Sequence, residues 1–155
     1  MNDMQPLLAL LGQAERERDT CFAQREHAAG AHAAALAQAG QLHAYRADYQ
    51  SRWALQFARA GQIEVVRCYQ GFMDRLTQAV DQQARIAEHA GSQLERARAL
   101  LLEQEQRVAS VRKLIERRVH ENRLLADRRD QKQTDEFAAR AAWHAAPALQ
   151  PMRLA

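Results

Sequence analysis

The residues of this chain best suited to bond chemistry are its six histidines and two cysteines, and their spacing argues against such use. His32 and His89 fall opposite one another in the hairpin register derived below. No third ligand converges on them, however, and the chain has no H-x-x-x-H or C-x-x-C spacing of the kind zinc requires. Cys21 and Cys68 lie too far apart in that register for the roughly 7 Å that a disulfide tolerates, so inert thiols on or near the helix seam are expected. The glycines form no phosphate-cradling loop. The expectation is a protein that is not an enzyme and has no cofactor, metal or catalytic residue. What its residue types can do is recognise other molecules. Six of its nine aromatics crowd between Tyr45 and Phe72, and a basic cluster runs through Arg112, Lys113, Arg117, Arg118, Arg123, Arg128, Arg129 and Lys132.

Helices must position both groups. Proline is absent between Pro6 and Pro147, alanine is abundant, and Gln, Arg and Glu fill the positions between apolar residues. Every seventh residue from Val66 forms one apolar row: Met73, Val80, Ala87, Leu94, Leu101, Val108 and Ile115. A companion row reads Tyr69, Leu76, Gln83, Ala90, Ala97, Gln104, Val111, Arg118 and Leu125. Rows recurring every 3.5 residues are the pattern of a coiled coil, and an internal proline would break it. A weaker stripe precedes it, through Leu7, Leu11, Ala14, Cys21/Phe22, Ala28/Ala29, Leu36, Ala39, Leu42, Tyr45, Tyr49 and Trp53.

The segment FARAGQIEV interrupts the pattern, with Gly61 placed to cap the first helix in a left-handed conformation. The fold expected is all-α. Its core is a two-helix antiparallel coiled-coil hairpin over residues 1–145, with helices at 5–59 and 63–143, a turn at 60–62 and a disordered tail at 146–155. A short turn makes the helices neighbours, so residues whose numbers sum to about 122 lie side by side. That rule pairs Trp53 with Tyr69, Tyr49 with Met73, Tyr45 with Leu76 and Leu42 with Val80. It sets Gly30 and Ala31 beside Ala90 and Gly91, small residues that would let the backbones approach closely. It also leaves the second helix roughly 25 residues longer than the first, on the order of 40 Å of bare helix. A lone helix in water needs a partner to cover it.

Two surfaces follow. Phe72 and Leu76 are expected to stay partly exposed while Met73 and Tyr69 fill the seam, giving a patch of Leu42, Tyr45, Tyr49, Phe72 and Leu76. The overhang, ENRLLADRRDQKQTDEFAARAAW, is the other. Charges along the helices form acid-first i,i+4 pairs at Asp48/Arg52, Asp81/Arg85, Glu103/Arg107 and Glu136/Arg140, as on a solvated face. The net charge of +3 favours anionic partners only mildly. The basic cluster is interleaved with Glu116, Glu121, Asp127 and Asp130 and has no aromatics among its basic residues to stack bases, so nucleic acid is not expected. No run reaches the roughly 18–20 apolar residues that span a bilayer, and the start has no basic leader, so a cytoplasmic monomer is expected.

Three strings carry a resemblance: DQKQTDEFAARAA at 130–142, YRADYQ in the first helix and CYQGFMDRLTQAVDQQ in the second. In order and spacing they resemble the FliJ family of flagellar type III export proteins and, more distantly, its YscO-like injectisome counterparts. The resemblance implies a hairpin shaped like the gamma stalk of rotary ATPases. It implies insertion in the hexameric flagellar export ATPase, promotion of its assembly and activity, contact with the cytoplasmic domain of the FlhA export gate, and escort of export chaperones at the cytoplasmic membrane. Carried over by position, the gate patch is Gln38, Leu42, Tyr45, Tyr49, Phe72, Leu76, Ala79 and Gln83, with Gln83 standing where a histidine is associated with the family. The ATPase-facing residues are Arg128, Gln131, Lys132, Asp135, Glu136 and Phe137. The alternative function is a basic coiled-coil adaptor for RNA or an anionic membrane surface.

Overall fold

The structure, a computed structural model, describes residues 4–59 and 61–147. Two helices pack as an all-α hairpin: α1 (Met4–Phe57) and α2 (Ile63–Ala145). Pro6 sits in the first turn of α1, where a missing N–H costs no hydrogen bond. Helix α2 stops two residues ahead of Pro147. Of the expected tail, residues 148–155 lie outside the described residues.

The reversal differs from the expected one. No described glycine has a positive φ, so Gly61 is not a left-handed cap. Instead α1 tightens as it ends: the Ala58 amide donates to the Ala54 carbonyl at 3.3 Å and the Arg59 amide to Gln56 at 3.1 Å. The shift to an i→i−3 bond uses up a terminal carbonyl without a glycine. Helix α2 takes over when the Val66 amide donates to the Gln62 carbonyl at 3.1 Å.

The described chain divides into two compact units, residues 12–109 and residues 4–11 with 110–147. In the first, Met73, Ala87, Leu94, Leu101 and Val108 of the expected α2 row are buried and Val80 is half-buried, and Leu76 of the companion row is buried beside them. Leu94 and Leu101 each gain on the order of 1.5–3 kcal/mol from leaving water. The α1 side departs from expectation: Leu36 is exposed and Ala35 is buried in its place. The row that packs is Ala14, Cys21, Ala28, Ala35, Leu42 and Tyr49, mostly small residues at heptad spacing. Its companion row, Arg18, Arg25, His32, Ala39, Arg46 and Trp53, is half-buried throughout, because long polar side chains lay their stems on the seam while their heads reach water. No described polar residue is fully buried, although Arg25 Nε and Gln104 Oε1 are covered and lack partners.

Of the expected approach of Gly30 and Ala31 to Ala90 and Gly91, Ala31 and Ala90 line one groove, but the glycines do not take the part expected of them. Gly30 has open space where a Cβ would stand, whereas the His32 imidazole lies 3.2 Å from the Cβ position of Gly91. A side chain fills the small-residue gap, so the backbones need not close it. His32 thereby packs against Gly91, while His89 lines a separate groove with His27, Ala28 and Ala90. No cluster able to hold a metal occurs among the described residues.

In the second unit Val111 is buried and Leu7, Leu10, Leu11 and Ile115 are half-buried. From Glu116 to Ala145 every residue of α2 is exposed. That is on the order of 45 Å of helix with one intramolecular neighbour fewer than the rest.

Candidate partner-binding surfaces

The first candidate surface lies in the unit of residues 12–109 and is built on a ladder of rings. Tyr45, Tyr49, Trp53 and Phe57 recur every four residues along α1, and Tyr69 and Phe72 answer from α2. Trp53 meets Tyr69 with ring centroids 5.3 Å apart, as the register predicts. Phe57 packs edge-on against Tyr69 at 5.1 Å, which carries the ladder to the turn. Tyr49 tilts against Phe72 with centroids 4.6 Å apart, one position from the expected Met73. Met73 instead turns fully inward. Offset aromatic pairs at such distances add about 0.5–1.5 kcal/mol each beyond their buried area.

Of the apolar and aromatic residues assigned to this patch, Tyr45 is the most open at 48% exposure, tilted against Tyr49 at 5.8 Å. Gln38 is exposed, and Leu42, Tyr49, Phe72, Ala79 and Gln83 are half-buried. Leu76 is corrected: at 7% exposure it belongs to the core beside Met73. It sits on the companion row one turn from Met73, so the packing that hides Met73 hides it too. Gln83 closes the far end of the patch. Its amide donates to the Ala35 carbonyl at 3.3 Å and to Gln38 Oε1 at 3.2 Å, tying the two helices together.

The second candidate surface lies on the bare part of α2. Arg128, Gln131, Lys132, Asp135 and Glu136 line one shallow hollow with Ala139, as their i, i+3, i+4 and i+7 spacing requires. The Gln131 amide donates to Asp135 Oδ1 at 3.3 Å within that row. Phe137 stands on the opposite face at 76% exposure, and Trp143 near the helix end is 82% exposed. Five of the six assigned residues therefore share one stripe, and Phe137 stands on the opposite face. The overhang picked out from the sequence ends on Trp143, but the six residues carried over by position leave it out, although a tryptophan on a helix without a neighbour is signal enough.

A family model described as FliJ, flagellar FliJ protein, matches residues 4–147 of the 155-residue chain. The chain belongs to the FliJ family. Membership makes it a component of flagellar export. The match spans both candidate surfaces and all three strings on which the resemblance rested. No curated protein and no solved structure matches the chain significantly. Among the described residues no helix is long and apolar enough to cross a membrane.

Proposed function

We propose that this FliJ-family hairpin links the hexameric flagellar export ATPase to the cytoplasmic domain of the FlhA export gate, and that it escorts export chaperones between them at the cytoplasmic face of the membrane. The observation that carries the reading is the unbroken exposure of α2 from Glu116 to Ala145. A helix of that length, with Phe137 and Trp143 bare, is stabilised when another surface covers it. The ATPase contact uses Arg128, Gln131, Lys132, Asp135, Glu136 and Phe137. A polar stripe on one face and Phe137 on the opposite one suit an enclosing ring better than a flat face. The gate contact uses Tyr45, Tyr49 and Phe72, with Gln38, Leu42, Ala79 and Gln83 around them. Residues 4–145 supply the hairpin that makes both contacts.

The mechanism needs no chemistry in the helices. A single helix within a sixfold ring touches its subunits unequally and biases their conformations unequally. It promotes assembly and ATP turnover only to the extent that it binds one ring state more tightly than another. A pull-down tests both contacts. Removing residues 130–155 abolishes stimulation of the ATPase while gate binding persists; unchanged stimulation rejects this end of the hairpin. Phe72→Ala or Tyr45→Ala weakens gate binding and leaves ATPase stimulation intact.

A further inference from the structure

The hairpin's turn end carries a surface that neither proposed contact uses. Leu55 and Ile63 are 71% and 73% exposed, whereas no other described Leu, Ile or Val exceeds 56%. They flank the reversal, Leu55 on the last turn of α1 and Ile63 on the first residue of α2. Arg52, Leu55, Gln56 and Arg59 line one open hollow on the face of α1 turned away from Trp53 and Phe57. Arg67 follows on the first turns of α2. From Arg52 to Arg67 the only acidic residue is Glu64, and outside that stretch Asp48 pairs with Arg52 at 3.1 Å. The basic cluster farther along α2 differs in both respects. It is interleaved with acids, and its aliphatics are less exposed.

We infer that the turn end seats on an anionic lipid surface, with Leu55 and Ile63 entering the headgroup boundary and Arg52, Arg59 and Arg67 contacting lipid phosphates. Two bulky aliphatics on a convex end fit a deformable interface that closes around them. Arginines beside them add attraction to negative headgroups, and the combination of weak apolar and electrostatic signals gives reversible attachment. Because no described helix spans a bilayer, the attachment is interfacial. An acidic protein surface would also attract the arginines, but seating both aliphatics would require two preformed pockets.

The test is co-sedimentation of the full chain with vesicles of phosphatidylcholine alone and vesicles with about one third phosphatidylglycerol, the anionic lipid. The Trp143→Phe background leaves Trp53 as the only tryptophan reporting on the turn end. Binding is expected to the anionic vesicles, with a change in Trp53 emission. Leu55→Ser/Ile63→Ser weakens partitioning by roughly 10-fold or more. Arg59→Gln/Arg67→Gln removes the preference for anionic lipid and flattens the salt dependence. These side chains are exposed, so circular dichroism of each variant should match the parent. Arg117→Gln/Arg128→Gln keeps the binding. The inference is overturned if the parent chain stays in the supernatant. It is also overturned if the turn-end variants bind as the parent does, if the Arg117/Arg128 variant alone loses binding, or if the turn-end substitutions cost only a protein contact.

Discussion

The two ends of α2 contain similar residues and meet opposite fates. Between Met73 and Val108 the helix hides Leu76, Leu94 and Leu101 against α1. Beyond Glu116 it leaves Leu124, Leu125, Phe137 and Trp143 in the open. The heptad row explains the difference. It stays apolar through Ile115, then reads Asn122, Arg129 and Glu136, so the later apolar residues scatter around the helix. Scattered residues cannot fill one seam. The first region is therefore folded by its own chain, and the second is held as helix by propensity and local pairs until something covers it. Regions with few buried contacts open at low free energy. Amide exchange should separate the two, fast beyond residue 116 and slow from 73 to 108.

The largest effect breaks the comparison at its strongest point. Leu101→Ala, and likewise Leu76→Ala, should cost about 2–4 kcal/mol in urea-unfolding free energy, through lost burial and the cavity left behind. Leu124→Ala, the same change on the bare helix, should stay within about 0.5 kcal/mol. Equal costs would mean that α2 beyond Glu116 is covered in solution. The burial of Leu76 also changes how it can be used: its substitution disturbs the core before it reports on any partner, so Phe72 and Tyr45 are the cleaner probes.

Much of this contrast can be read from the residues alone. The row from Met73 to Val108 announces its own burial, because every seventh residue is apolar and the period leaves one face for them. The α1 partner row is harder to see. Arg18, Arg25, His32 and Arg46 sit on the seam, and nothing in their side-chain type announces half-burial. Leu36 looks like core by type, yet the register gives that place to Ala35. The reversal is misread for another reason. A glycine after a helix suggests a left-handed cap, but α1 ends in backbone bonds open to any residue and Gly61 has no positive φ. The aromatic patch is legible through register, whereas the face of Phe137 opposite Gln131 and Asp135 follows from helix geometry, not from string similarity.

A smaller effect tests whether the helices need their glycines, Gly40 in α1 and Gly91 in α2. A Cβ built on Gly40 meets nothing within 4 Å, so Gly40→Ala should raise stability by about 0.5–1 kcal/mol from helix propensity alone. Gly91→Ala should gain less, because its new methyl stands 3.2 Å from the His32 ring, which must yield by a few tenths of an ångström. Equal gains at both sites would show that His32 does not rest on Gly91 in solution.

The smallest effect concerns the ion pair that joins the helices within the paired unit. Arg107 could have turned to Glu103 on its own helix, but it reaches Glu17 of α1 at 2.6 Å. Both side chains are about two-fifths exposed, at 44% and 40%, so water and salt screen them. Glu17→Gln should therefore cost no more than about 0.5 kcal/mol at low ionic strength, and nothing measurable near 1 M salt. A double-mutant cycle with Arg107→Gln isolates the pair from the packing of the arginine stem. A coupling much above 1 kcal/mol that survives high salt would mean that polar contacts, and not the apolar row of α2, fix the register of the hairpin there. A weak, salt-sensitive coupling leaves that task to Leu101, nearly two turns before Arg107, and Val108, the residue after it, both buried on the seam.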